Sequence, residues 1–264
     1  MEERNYLKDY YESVCDEDGR LNKNSAQTIE FITTNKYIEK YLKKGDRILE
    51  IGTGTGAYSL YYANKGYKVD AIELIQHNVD RFKANIKPEM DVNVIQGNAL
   101  DLSEYRDNQF DITLVLGPLY HLYTEEDKKQ AINEAIRVTK EEGHVFIAYL
   151  THGSLMLNYA LKKGKLSRIP EICDDEYRIK DMPEELFTFF YIDEFEKLMS
   201  EFNCEYIGNI ATDGIAPAFK EILNGLSEEE FTIWLDYHLC TCERKDIQGY
   251  SSHMLYVAKK TNKY

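Results

Sequence analysis

Between Ile48 and Leu74 the chain reads ILEIGTGTGAYSLYYANKGYKVDAIEL, and its polar and glycine positions are spaced for holding a ligand. Glu50, Gly52, Gly54 and Gly56 stand at alternate positions, as Glu-x-Gly-x-Gly-x-Gly. Glycines in that pattern let the backbone turn tightly and admit a ligand against it. Glu73 closes the next apolar run, about 20 residues past the turn, where a carboxylate can hold the hydroxyls of a ribose. Two further segments follow apolar runs: Gly97-Asn98-Ala99, and Leu116-Gly117-Pro118-Leu119-Tyr120-His121-Leu122. Asn98 offers an amide oxygen as acceptor. His121 has an ordinary pKa near neutrality, which suits a general base or a substrate anchor.

Such residues are useful only if strands and helices bring them together. Arg47 to Ile51 reads as a first strand, stopped by the glycines. Tyr58, Leu60, Tyr61 and Ala63 mark an amphipathic helix that Gly66 ends. Lys68 to Glu73 is the second strand. A helix from about Gln76 to Ile86 stops ahead of Pro88. Val92 to Gln96, Phe110 to Leu116 and His144 to Leu150 read as strands three to five. Thr124 with Asp127 opens a helix to about Lys140. Ser25 is placed to cap an earlier helix, running to about Lys43, with Ile29, Ile32, Tyr37 and Ile38 on its apolar face. Strands alternating with helices imply an α/β class with a parallel, doubly wound sheet.

After the fifth strand, Asp193 to Asn203 reads as a core helix, Glu205 to Ile210 as strand six and Ser252 to Ala258 as strand seven. The remainder suggests a cap over the strand C-termini, the edge where open α/β sheets bind ligands. The expected division is a cap segment at 1–24, a core at 25–150, cap insertions at 151–192 and 212–250, a core helix and strand at 193–211, and a last strand with tail at 251–264. Both insertions look mostly helical. His253 and the aromatic set Phe187, Phe189, Phe190 and Tyr191 are expected to pack rather than to do chemistry.

With Glu50 two residues before Gly52, the turn resembles the first motif of the class I S-adenosylmethionine (SAM) dependent methyltransferases. A dinucleotide site would bring a pyrophosphate and want an unopposed helix N-terminus, and Glu50 is misplaced for that. SAM brings an ammonium, a carboxylate and a sulfonium, so an acid beside the turn is useful. The resemblance covers about residues 10 to 260. It implies a Rossmann-like, seven-stranded sheet of order 3-2-1-4-5-7-6 with the last strand antiparallel. It also implies SAM as cofactor, held by Glu50, Gly52, Gly54, Gly56, Glu73, Leu74, Asn98, Ala99, Leu116 and Gly117, with Asn98 and Ala99 meeting the adenine. The segment Leu116 to Leu122 lacks the Asn/Asp-Pro-Pro-Tyr of amine methylases acting on nucleobases or glutamine. It is similar instead to a small-molecule subgroup of the methyltransferase-domain type 11/25 kind. That likeness implies catalytic or anchoring roles for His121 and Tyr120, and an N-terminal segment closing over the cofactor through Tyr10, Tyr11 and Arg20.

Composition narrows the acceptor. The net charge is −14, from 32 basic and 46 acidic residues. Enzymes of nucleic acids need a basic footprint to neutralise phosphates, and the densest basic cluster, Lys162-Lys163-Gly164-Lys165, is short. A small-molecule substrate is therefore expected, with no nucleic acid and no membrane. RNA or protein methylation and a catalytically inactive SAM-binding regulator are the alternatives. The five cysteines are odd in number and scattered, so a reduced state without structural metal is the expectation. The N-terminus is acidic and carries no apolar signal core, which points to the cytoplasm. The lysine, asparagine, isoleucine and tyrosine bias points to an AT-rich bacterial genome. Oligomeric state and acceptor atom stay open.

Overall fold

The computed structural model of the chain describes residues 2–13, 19, 21, 23–180 and 186–261. Its strands are β1 Arg47–Ile51, β2 Lys68–Glu73, β3 Val92–Gln96, β4 Phe110–Val115, β5 Thr139–Leu150, β6 Cys204–Ala211 and β7 His253–Lys260. They form one seven-stranded sheet of order β3-β2-β1-β4-β5-β7-β6. β7 runs antiparallel to both β5 and β6, while β1 is parallel to β2 and β4. The central strands are covered on both faces, so they read as continuous apolar runs rather than alternations. Ile48, Leu49 and Ile51 of β1 are all buried, as are Leu114 and Val115 of β4.

The helices are α1 Glu2–Ser13, α2 Ser25–Glu39, α3 Ala57–Asn64, α4 Gln76–Ala84, α5 Glu125–Val138, α6 His152–Ser154, α7 Ile169–Ile172, α8 Ile192–Met199, α9 Lys220–Asn224 and α10 Glu228–Thr241. Asn24 caps α2, accepting the Gln27 N–H at 3.2 Å, where Ser25 was expected to do so. Thr124 caps α5 as expected, accepting from Asp127 N–H at 3.0 Å. β5 begins at Thr139 rather than at His144, because a bulge opposite Phe110 to Ile112 keeps the chain in the sheet. Gly143 lies in that bulge, where a Cβ would stand 2.8 Å from the Lys140 carbonyl oxygen.

The stretch after β5 departs from a plain helical pattern. α6 passes into a π-helical segment, Leu155–Leu161, then a single 3-10 turn and α7. Leu155, Ala160, Ile169 and Ile172 form its own small core. Between β6 and β7, α9 and α10 pack across α2, with Ala26, Ile29, Ala216 and Leu223 buried between them. The parallel strands all end on one edge. β1 and β4, neighbours whose connections leave in opposite directions, create there the crevice at which such sheets bind ligands.

A cleft at the sheet edge

The turn after β1 is positioned by close backbone contacts. Gly52 has φ +73°, and a Cβ there would lie 2.6 Å from the Pro118 ring. Gly117, on the loop after β4, would bring a Cβ within 3.2 Å of the Gly52 carbonyl oxygen. The two loops therefore press together as only glycines allow. Gly54 has φ +55° and nothing within 4 Å of a Cβ position, so its outer face is open. Gly56 precedes α3 with φ +90°, packs against the Phe82 ring and is not among the residues lining the cleft.

Two buried carboxylates flank this turn. Glu50 is 2% exposed. Its Oε2 accepts from Thr53 Oγ1 at 3.0 Å, Ser59 N–H at 2.9 Å and the Ser59 hydroxyl. Burial raises its pKa to about 7, against the lowering effect of the Ser59 and Thr53 bonds. Glu73 accepts the Gly54 N–H at 2.8 Å on Oε2 and the Ile75 N–H at 2.9 Å on Oε1. The turn's amide thus points at a side-chain acid, where a phosphate-binding turn would offer it to the ligand.

Beyond β3, Asn98 Oδ1 accepts the Leu100 N–H at 3.1 Å, an Asx-type turn that presents Asn98 and Ala99 at the cleft. Beyond β4, the segment Pro118–His121 is a 3-10 turn. Tyr120 is buried and its hydroxyl donates to the Leu116 carbonyl at 2.6 Å. His121 bridges distant segments. Its Nδ1 lies 2.8 Å from the Leu186 carbonyl and its Nε2 2.9 Å from the Tyr11 hydroxyl. The carbonyl can only accept, so Nδ1 carries the proton and Tyr11 donates to Nε2. Burial holds the His121 pKa down at about 4, which keeps the ring neutral at physiological pH.

These pieces line one cleft of about 990 Å³, its open mouth included. Glu50, Gly52, Gly54, Glu73, Leu74, Asn98, Ala99, Leu116, Gly117, Tyr120, His121 and Tyr11 all contribute to its wall. Arg20 lies outside the described residues. Leu7 of α1 and Leu21 join Tyr11 at the same cleft. Sequence reasoning missed the wall residues Thr53, Thr55, Tyr58 and Asn78. A signal for Asn78 was available in its place one turn past Glu73. The donor set fits SAM: buried acids beside an open glycine face, with an amide at the third strand end.

Residues 49–147 match the family model described as a methyltransferase domain. Over 109 residues the chain is 32% identical to a demethylmenaquinone methyltransferase of Renibacterium salmoninarum, covering 41% of this chain and 43% of the relative. A glycine/sarcosine N-methyltransferase of Aphanothece halophytica is 24% identical over 99 residues, 37% of each chain. The chain spans less than half the length of these curated relatives. A SAM-dependent methyltransferase structure from Methanosarcina mazei superposes with a TM-score of 0.57 at 20% identity, over 86% of this chain and 98% of that one. The strand order and the match over residues 49–147 show a methyltransferase domain on a Rossmann-like, seven-stranded fold. The matched region runs from β1 to β5, the part that builds most of the cleft.

Proposed function

We propose that this chain transfers a methyl group from SAM to a small-molecule acceptor. The observation that carries the reading is the convergence of two buried acids, an open glycine face and the Asn98 turn on one cleft, roofed by Tyr11 and Leu7. When bound, SAM supplies a methyl group already activated by its sulfonium. The protein's share is then alignment and exclusion of water. Glu73 would hold the ribose hydroxyls and Glu50 would face the ammonium. Asn98 and Ala99 would meet the adenine, with Leu74 and Leu116 against its rings. Gly52, Gly54 and Gly117 allow close approach. Tyr11, with Arg20, would meet the methionine carboxylate. Tyr120 and His121 form the wall on the acceptor side, His121 as a neutral positioning group.

The division into core and cap belongs to this reading: residues 1–24, 151–192 and 212–250 shape the acceptor site over a core that holds SAM. A cytoplasmic, reducing setting also belongs to it. Among the described residues no helix is long and apolar enough to cross a membrane. The charge of −14 weighs against RNA as acceptor. The test is calorimetric titration with SAM and with S-adenosylhomocysteine, followed by transfer of labelled methyl into the small-molecule, RNA and protein fractions of a cell extract. Binding with label in the first fraction is expected. No binding, or label only in RNA or protein, would overturn the reading.

A further inference from the structure

The loop that carries Tyr120 and His121 is held from outside. Residues 186–190, the last stretch before α8, run back to the sheet. The Phe190 N–H donates to the Leu150 carbonyl at the end of β5 at 2.9 Å, and the Phe190 carbonyl accepts the His152 N–H at 3.2 Å. The same stretch grips the 3-10 turn Pro118–His121 at three consecutive residues. The Thr188 hydroxyl donates to the Leu119 carbonyl at 3.2 Å. The Thr188 N–H donates to the Tyr120 carbonyl at 2.9 Å. The Leu186 carbonyl accepts from His121 Nδ1 at 2.8 Å. Short helical turns leave their last carbonyls to donors outside the turn. Leu119 and Tyr120 are buried, where an unmatched carbonyl is costly, and Thr188, itself 0% exposed, serves both. Leu186 has φ +65°, a left-handed conformation that a side-chain-bearing residue keeps only where its surroundings enforce it. The Phe187 ring lies against His121, centroids 5.1 Å apart, and meets Tyr10 of α1 edge-on at 6.0 Å. The glycine side of the turn is fixed by other means, since Gly117 and Pro118 press on Gly52.

We propose that Thr188 is a positioning residue of the acceptor site: its hydroxyl fixes the turn that carries Tyr120 and His121, and so sets the affinity for the acceptor rather than for SAM. The proposal rests on the methyl-transfer reading above, in which these two side chains wall the acceptor side. Tyr120 and His121 line the cleft, whereas Thr188 is not among its lining residues and acts only through the turn. Loosening the turn at Leu119 lets both rings shift together. An acceptor seated on them then loses binding in the ground state and the transition state alike, which raises KM with less effect on kcat. The main-chain bond from Thr188 survives any substitution except proline. The hydroxyl bond is the one that the side chain controls.

The decisive pair is Thr188→Val, which keeps the shape and loses the hydroxyl, and Thr188→Ser, which keeps the hydroxyl. Thr188→Ala repeats the test should the valine variant not fold. Methyl transfer is followed from labelled SAM into a dilution series of the small-molecule fraction of a cell extract, and SAM affinity by calorimetric titration. In Thr188→Val the extract concentration giving half-maximal rate should rise about tenfold, with the maximal rate and SAM affinity changing much less. Thr188→Ser should restore the wild-type value. In the ligand-free protein the His121 Nδ1–H, held by the Leu186 carbonyl, should exchange with solvent faster in Thr188→Val than in the wild type or Thr188→Ser, as read by proton NMR. Wild-type half-saturation or wild-type exchange in a folded hydroxyl-free variant overturns the proposal. So does Thr188→Ser behaving like Thr188→Val. A parallel loss of SAM affinity shows a general structural role and overturns it as well. No transfer by a wild type that still binds SAM overturns the methyl-transfer reading, and this proposal with it.

Discussion

At the scale of single residues, Glu50 links the cleft to pH. A glutamate ordinarily titrates at 4.5, and burial raises Glu50 to about 7. Between those values the folded protein binds more protons than the unfolded chain, so this group lowers stability as pH rises from 4.5 to 7. The loss is about 3 kcal/mol in order of magnitude. His121 and His144, both held at about 4 mainly by burial, act the other way: their contribution is lost as pH falls from 6.5 to 4. Glu50→Gln separates the two effects, because its carbonyl oxygen can keep the Thr53 and Ser59 bonds. Calorimetric melting should show the variant gaining on the wild type across pH 4.5 to 7 and levelling off above. A flat difference would contradict the assignment. Glu73 answers to a second measurement. Glu73→Ala removes the acceptor of the Gly54 and Ile75 amides, charge-assisted bonds of about 1.5–3 kcal/mol each. Its affinity for SAM, read by titration, should fall at least tenfold, and unchanged affinity in a folded variant would remove Glu73 from the site.

Among the elements, the β1 turn and α1 have separable roles. A branched side chain at Gly54 meets open space, yet φ +55° is strained for it. Gly54→Val should therefore abolish SAM binding while the circular dichroism spectrum stays close to wild type. Survival of binding would mean that the turn faces away from the cofactor. α1 contributes Leu7 and Tyr11 to the cleft, but every strand lies downstream of it. Deletion of residues 1–20 should leave the thermal transition largely intact and weaken SAM retention, as measured by dissociation rate. Equal retention would show that α1 is an appendage.

At the scale of the whole molecule, the second insertion is tied to the core through α2. Leu223 of α9 is 3% exposed and buried with Ala26 and Ile29. Leu223→Ala should cost about 2–5 kcal/mol, seen as a lower denaturation midpoint with an unchanged slope. A separate early transition would show instead that α9 and α10 unfold independently of the sheet.

Local information was enough for most of the scaffold. β1, β2 and β3 end at the residues expected from sequence, because buried parallel strands are apolar runs cut off by turn residues. The acids Glu50 and Glu73 were legible for the same reason: a polar residue at the end of such a run has few other uses. The bulged start of β5 was hidden, since it depends on a neighbouring strand that the local pattern does not name. So was the π-helical turn after it, whose core is assembled from residues on either side of a bend. The partners of the two histidines His121 and His253 were also beyond local reading. Tyr11 meets His121 across 110 residues, and Asp213 meets His253 across 40. Chain order specified which side chains end each strand; only the folding of separate strand ends onto one edge decided which of them share a cleft.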